Sequence, residues 1–211
     1  MTLAATLIGD VIASRTSPDR PALHAALQRA IESVNEMLDP IIPLRITVGD
    51  EYQGGFAALG QALSATLRLR LALAGASDVR HGVGWGEVSV LSEEPRVEDG
   101  PGWWAAREAI DDVKQRERRA AWRSLRTAFV LADGAEGPEP NAVNAALVSR
   151  DAMLARLDER GLSVLDGMLR GMTQEQIGRS LGITSAAVSQ RVRRDGIAAL
   201  VRVDELLGEL R

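Results

Sequence analysis

An α+β domain followed by a small all-α module is the architecture this sequence predicts, and three observations carry it. Short apolar or β-rich runs alternate with helix-period segments, in the order β, α, β-β, α, β, α, through residue 131. Glycine, proline and acids then crowd residues 133–140. Beyond that stretch the apolar residues recur at helical spacing. The first order is the split βαβ, ferredoxin-like pattern. The expected division is therefore a ferredoxin-like domain over 1–132, a linker over 133–140 and a helix-turn-helix domain over 141–211.

Each element has a local reason. Residues 3–8 are an apolar run ended by Gly9-Asp10, which reads as a buried strand with an acid at its C-terminal end. Pro21 opens a helix whose Leu23, Leu27, Ile31, Val34 and Leu38 share one face, and Asp39-Pro40 stops it. Ile46-Thr-Val-Gly-Asp-Glu-Tyr-Gln-Gly-Gly-Phe56 reads as a hairpin with two adjacent carboxylates at its tip. A helix over 56–73 follows, with Leu59, Leu63, Leu67 and Leu71 four apart. Residues 79–91 form a β-rich run with Gly82, Gly84 and Gly86 at alternate positions, so one face of that strand has no side chains. Either a flat ligand or a packed helix can use such a face. Residues 92–102 read as a loop, 103–119 as a charged helix, and 122–131 as a final strand or helix.

Composition narrows the chemistry. Cysteine is absent, which excludes disulfides, thiolate metal sites and cysteine nucleophiles. His24 and His81 are the only histidines, too few for a histidine-built zinc site. No apolar run has membrane-spanning length and no secretory leader pattern opens the chain, so a cytoplasmic location is expected. Residues 1–140 carry 15 basic and 20 acidic side chains, net −5; residues 141–211 carry 10 and 9, net +1. That balance argues against a broad nucleic-acid-coating surface but leaves room for a local contact.

The ferredoxin-like order brings the end of the first strand beside the hairpin tip. Asp10 and Asp50 then become neighbours across forty residues, with Glu51 next to them. Adjacent carboxylates suit a hard cation such as Mg²⁺ with a phosphorylated ligand. An acidic, solvated hairpin turn is the plainer account of the same residues. Arg15, just past the first strand, is a phosphate-contact candidate.

Ile8-Gly-Asp-Val-Ile-Ala-Ser-Arg15, Gly49-Asp-Glu-Tyr-Gln-Gly54, Arg80-His-Gly-Val-Gly-Trp-Gly-Glu87 and Asp99-Gly-Pro-Gly-Trp-Trp-Ala-Ala-Arg107 together resemble the SatD family of bacterial proteins. More distantly, the same motifs are similar to the palm-like catalytic domains of nucleotidyl and diguanylate cyclases. That resemblance implies a cyclase/palm-like first domain, Mg²⁺ held by Asp10 and Asp50, and a nucleotide contacted by the Gly82, Gly84 and Gly86 strand and by Arg107. The cyclase pattern carries an asparagine four residues before the arginine; Trp103 stands there instead, one hydrogen-bond donor fewer for developing phosphate charge. Trp103 and Trp104 read as core anchors, with base stacking the sharper alternative.

In the last part Thr173 and Gln176 form a capping box, Leu181-Gly182-Ile183 a short turn, and Thr184 a second N-cap. Ile177, Leu181, Ile183, Val188 and Val192 have the spacing of a helix-turn-helix. Double-stranded DNA is the expected partner, a protein contact the alternative. Ser185, Ala186, Ser189, Gln190 and Arg193 would face base edges, and Arg179, Arg191 and Arg194 phosphates. The apolar tail from Ile197 needs a partner surface, in the same module or in a homodimer. The sequence thus points to a DNA-binding transcriptional regulator with a nucleotide- or metal-ligand-sensing domain. The alternatives are a Mg²⁺-dependent nucleotide-processing enzyme localised by its helix-turn-helix, and an interaction protein whose acids are structural.

Overall fold

A computed structural model describes residues 2–94 and 96–211; the side chain of Arg15 lies outside the described residues. Strand β1 (Thr2–Val11) is the hub of the sheet, because its central residues are apolar or small on both faces. It pairs antiparallel with β3 (Glu51–Phe56) on one side and with β4 (Val79–Glu93) on the other. β2 (Ile42–Ile46) pairs with β3 through the turn in which Glu51 N–H donates to Val48 O (3.0 Å). The order β2-β3-β1-β4 is that of the split βαβ pattern, with β1 and β2 separated by the inserted β3.

β4 is long enough to hold two further partners. Its first half runs parallel to β6 (Thr127–Leu131), and its second half forms a hairpin with β5 (Arg96–Asp99). The undecided segment 122–131 is thus a short 3₁₀ turn at Ala120–Trp122 followed by a strand. The segment 92–102 is no plain loop: it contains the last strand residues of β4, then β5, then the start of a helix.

Helices α1 (Arg20–Leu38) and α2 (Leu59–Ala72) cover one face of the sheet. Leu23, Leu27, Ile31 and Val34 from α1 meet Leu59 and Leu63 from α2 over Ala5, Leu7 and Val11 of β1. Helix α3 (Pro101–Arg116) covers the opposite face, where Trp103, Ala106 and Ile110 pack on Ala4, Ile8 and Val88. Of the tryptophan pair only Trp103 is a core anchor. Trp104 is 62% exposed and donates its indole N–H to Asp99 Oδ1 (2.8 Å).

Two of the sheet's edge strands, β2 and β6, each meet an asparagine on a neighbouring helix. Asn35 of α1 accepts from Leu44 N–H (2.8 Å) and donates to Leu44 O (2.9 Å) at the β2 edge. Asn144 does the same to Phe129 at the β6 edge, at 2.9 and 2.8 Å. A side-chain amide presents one donor and one acceptor, so it stands in for one residue of a missing strand and blunts the edge.

Residues 133–139 cross the sheet's end rather than run free, because Trp85 Nε1 donates to Glu136 O (3.1 Å) and Gly137 lies against the Trp85 ring. The chain continues as α4 (Pro140–Leu154), α5 (Glu159–Leu169), α6 (Gln174–Leu181), α7 (Ser185–Arg194) and α8 (Ile197–Gly208). Val143 and Leu147 of α4 and Leu207 of α8 belong to the same apolar cluster as α1 and α2. Two fully buried charges, Arg150 and Asp151, fix α4 there. The rest of the helical part packs around Leu154, Val164, Leu165, Ile177, Val188 and Leu200, and Leu67 and Leu71 of α2 complete that second core.

A buried polar pair sits inside the sheet. The Tyr52 hydroxyl and His81 Nε2 lie 2.7 Å apart, both side chains closed to solvent. Burial pushes the His81 pKa well below its ordinary value, the positive charges of Arg70 and Arg150 add to that, and Asp78 opposes it. An unfolded chain takes up a proton near pH 6.5 that the folded chain refuses. Stability is therefore expected to hold above about pH 6.5 and to fall as pH drops below it, by up to about 1.4 kcal/mol per pH unit for this one group. Denaturation midpoints measured from pH 7.5 to 5 check this: Tyr52→Phe/His81→Leu should lose that share of the slope, and an unchanged slope would refute the assignment to His81.

Candidate functional site

The antiparallel ladders place Asp10 opposite Glu51 on β3 and opposite Arg80 on β4. Residues paired across a ladder share a face, so all three project to the side that α3 covers. Arg107 and Lys114 of α3 are seven residues apart, two turns along one helical face. Arg107 reaches both Glu51 oxygens, at 2.8 and 2.7 Å, and Lys114 Nζ reaches Asp10 Oδ2 at 2.7 Å. Arg80 Nη1 takes Asp10 Oδ1 at 3.1 Å, while its other nitrogen pairs with Glu117 just beyond α3. Asp50 accepts from Ser14 Oγ at 2.6 Å. The hydrogen bonds from Arg107 hold the Glu51 carboxyl below its usual range despite partial burial, and Glu51 in turn raises Arg107.

Asp10, Asp50, Glu51, Ser14, Arg80 and Lys114 line one open cleft of about 420 Å³. A second recess of about 330 Å³ adjoins it, sharing Val11, Ser14 and Asp50, with Pro21, Leu23 and Leu27 as apolar wall and His24 at its side. The structure thus brings together Asp10, Asp50 and Glu51, forty residues apart in sequence. Sequence reasoning missed Arg80 and Lys114 as their partners. The spacing of seven between Arg107 and Lys114 was the available signal, since it places both on one helical face.

The three acids do not form a ready cage for a hard cation. Among the described residues no three side chains of His, Cys, Asp or Glu gather as a metal-ligating group. Both Asp10 oxygens and both Glu51 oxygens already face arginine or lysine nitrogens. Mg²⁺ needs several free oxygen ligands at about 2.0–2.1 Å, and this donor set does not offer them as arranged. Arg107, expected to contact a nucleotide, is instead engaged by Glu51.

Gly82, Gly84 and Gly86 do not present a bare surface to a ligand. A side chain at Gly82 would collide with Ala106 O and Ile110 N, and one at Gly84 with Gly102 O and with Ala106 N, 2.5 Å away. At Gly86 it would meet Ala132 Cβ at 2.6 Å and Gly102 N at 2.9 Å. The glycine row is the groove into which the backbone of α3 fits. Buried Thr6 joins the same seam, donating to Gly102 O at 2.7 Å.

In the helical part, Thr173 and Gln176 cap α6 reciprocally. Gly182 ends α6 in the left-handed region (φ 64°), and Thr184 accepts from Ala187 N–H at the start of α7. Val188 and Val192 are buried; Ser185, Ala186, Gln190, Arg193 and Arg194 are exposed and Ser189 half-buried. Arg191 is not free to reach outward, because both of its terminal nitrogens clamp Asp158, the N-cap of α5, at 2.8 and 3.0 Å. Arg194 pairs with Asp195 (2.7 Å) and Arg179 with Glu175 (3.5 Å) at the surface.

A mixed α+β fold with a charged cleft at its sheet, followed in the chain by five helices, is the class these features define. The SatD family model matches residues 4–210, and the chain belongs to that family. No curated protein matches it. Among solved structures it is similar to a bacterial light-regulated adenylyl cyclase, with 12% identity and a TM-score of 0.47 over 61% of this chain and 75% of that one. It is also similar to the dimeric guanylyl cyclase domain of the RhoGC fusion protein from Blastocladiella emersonii, with 13% identity and a TM-score of 0.44 over 53% and 74% of the two chains. A third is the guanylate cyclase domain of RhGC from Catenaria anguillulae in complex with GTP, with 15% identity and a TM-score of 0.42 over 52% and 72%. Among the described residues no helix is long and apolar enough to cross a membrane.

Proposed function

We propose that this chain is a DNA-binding transcriptional regulator, in which 141–211 is a helix-turn-helix module and 1–132 a ligand-sensing domain, joined through 133–140. The observation that carries this reading is the division of α7 into two stripes. Val188 and Val192 hold it to the module's core, while Ser185, Ser189, Gln190 and Arg193 lie along the outer side from its N-terminal end. Recognition helices enter the major groove with that geometry, and Gln suits adenine as Arg suits guanine. Arg179 and Arg194 flank the stripe as phosphate contacts. Arg191 would act at one remove, by holding α7 against α5.

The cleft at Asp10, Asp50 and Glu51, with its apolar side recess, is where a nucleotide-like ligand would sit, its anionic part exchanging for acids on Arg80 and Lys114. Arg15, beside this cleft in sequence, belongs to the same proposal. The enzyme alternative, Mg²⁺-dependent nucleotide processing, is disfavoured by the ion pairs that already occupy the carboxylates. A homodimer would match a palindromic site, and Leu206 on α8, 49% exposed, offers it apolar surface. A cytoplasmic location follows from the DNA partner.

Selection of bound fragments from random duplex DNA tests the reading. Arg193→Ala and Gln190→Ala are each expected to lose about 1–3 kcal/mol of discrimination at one or two positions. Arg194→Ala should weaken all sequences alike and flatten the salt dependence by about one unit of slope. A selection profile identical in wild type, Arg193→Ala and Gln190→Ala would refute the assignment of α7 as the reading helix.

A further inference from the structure

We infer that Lys114 and Arg107 are tethered cations that occupy the carboxylates of the sheet's acid cleft in place of a divalent metal ion, so that the sheet domain works without one. The inference begins at the glycine row. Gly82 and Gly84 let α3 lie on β4 with backbone against backbone, which fixes the helix in height and in register. Seven residues of α-helix span about 10.5 Å, so once α3 is fixed, Arg107 and Lys114 are held two turns apart above the adjacent strands β1 and β3. There the guanidinium meets both oxygens of Glu51, and the ammonium meets Asp10 Oδ2 while Arg80 meets its Oδ1.

Charge bookkeeping at the cleft points the same way. Asp10, Asp50 and Glu51 supply three negative charges; Lys114 is paired with Asp10 and Arg107 with Glu51, while Arg80 is shared between Asp10 and Glu117. A divalent ion entering such a cluster would have to displace protein cations that are already paired with its ligands. Asp10 is only 14% exposed and Lys114 33%, so this pairing is partly withdrawn from solvent and from screening salt. The arrangement has a chemical consequence. With Asp10 and Glu51 already paired to protein cations, the cleft as arranged offers no free carboxylate pair through which a divalent ion could act on a bound phosphate.

The inference does not rest on the DNA-binding reading, and its test contains no DNA, so either can fail alone. Mn²⁺ binding is followed by the loss of its free-ion paramagnetic resonance signal on titration with full-length protein. Wild type is expected to show no saturable site at millimolar metal. Lys114→Met/Arg107→Met, which frees one Asp10 oxygen and both Glu51 oxygens, is expected to gain one site, and adding Asp10→Asn should abolish it. Both substituted side chains are part-exposed, and a thermal melt of each variant verifies folding. A saturable wild-type site that Asp10→Asn removes would overturn the inference. So would a folded double variant that binds no more Mn²⁺ than wild type, or a gained site that survives Asp10→Asn.

Discussion

Asp151→Ala is expected to destabilise the protein by about 3–5 kcal/mol, the range for removing one partner of a buried charge pair. Asp151 is closed to solvent, and its two oxygens have three donors. Oδ1 accepts from Arg70 Nη1 (2.9 Å), and Oδ2 from the backbone N–H groups of Arg126 and Thr127, at 2.7 and 2.8 Å. Its neighbour Arg150 is equally buried, donating to Leu63 O (3.1 Å), Thr66 Oγ1 (2.9 Å) and Thr127 Oγ1 (3.0 Å). Its Nε lies 3.8 Å from Asp151 Oδ1 and has no hydrogen-bond partner among the described residues. Burial drives the Arg150 pKa down and the nearby charge of Arg70 adds to that, while the charges of Asp151 and Asp204 oppose it. Removing the aspartate therefore strands a buried cation and leaves two backbone amides at the start of β6 without their acceptor. Urea denaturation measures the loss, and a change below about 1 kcal/mol would show that water or a rearranged Arg70 replaces the carboxylate. The same contacts predict that a chain ending at residue 140 will not fold cooperatively, because α4 supplies the partners of Leu63, Thr66 and Thr127.

That pair was not legible in the sequence. Arg150 and Asp151 are adjacent charges in a helix, a pattern that ordinarily marks a solvated face, and only the packing of α4 on α2 and β6 buries them. What the sequence did announce were features set by local rules. The four-residue spacing of Leu59, Leu63, Leu67 and Leu71 gave α2, and the Asp39-Pro40 stop gave the end of α1 at Leu38. Thr173, Gly182 and Thr184 marked the ends of α6 and α7, since a cap is a contact within four residues. The strand order followed from connectivity alone. β6 was ambiguous because four apolar residues after Thr127 carry no period that separates a buried strand from a helical turn. β5 carries no strand signal in the sequence, because Arg96-Val-Glu-Asp99 is mostly polar and lies at an edge.

The cleft was legible in one half. Asp10 and Asp50 were brought together by topology, a property that sequence order predicts. Their partners were not, because Arg80 drew notice only as the start of the glycine-row motif and Lys114 as one charge on a charged helix, and their role depends on where α3 lies. The glycine row was ambiguous for the same reason: absent side chains show that something comes close, without saying what. Here the approaching group is a helix of the same chain.

The helix-seating role of those glycines makes Gly84→Ala the second large effect, with an expected loss of about 3 kcal/mol or more. A methyl group there would press on Gly102 O and Ala106 N, both backbone atoms in the first turns of α3. Backbone cannot turn aside as a side chain can, so the helix must lift from β4 and take the Trp103, Ala106 and Ile110 contacts with it. Gly208→Ala serves as the control. It lies at the end of α8, where an added methyl meets nothing within 4 Å, and should change stability by no more than about 1 kcal/mol in either direction. A displaced α3 should also carry Lys114 and Arg107 away from Asp10 and Glu51. The loss of stability in Gly84→Ala should therefore be accompanied by altered NMR signals of the Arg107 guanidinium and the Asp10 carboxyl. A Gly84→Ala protein as stable as wild type, with both signals unmoved, would mean that the seam between α3 and β4 is looser than backbone contact and that the glycine face is open to another molecule.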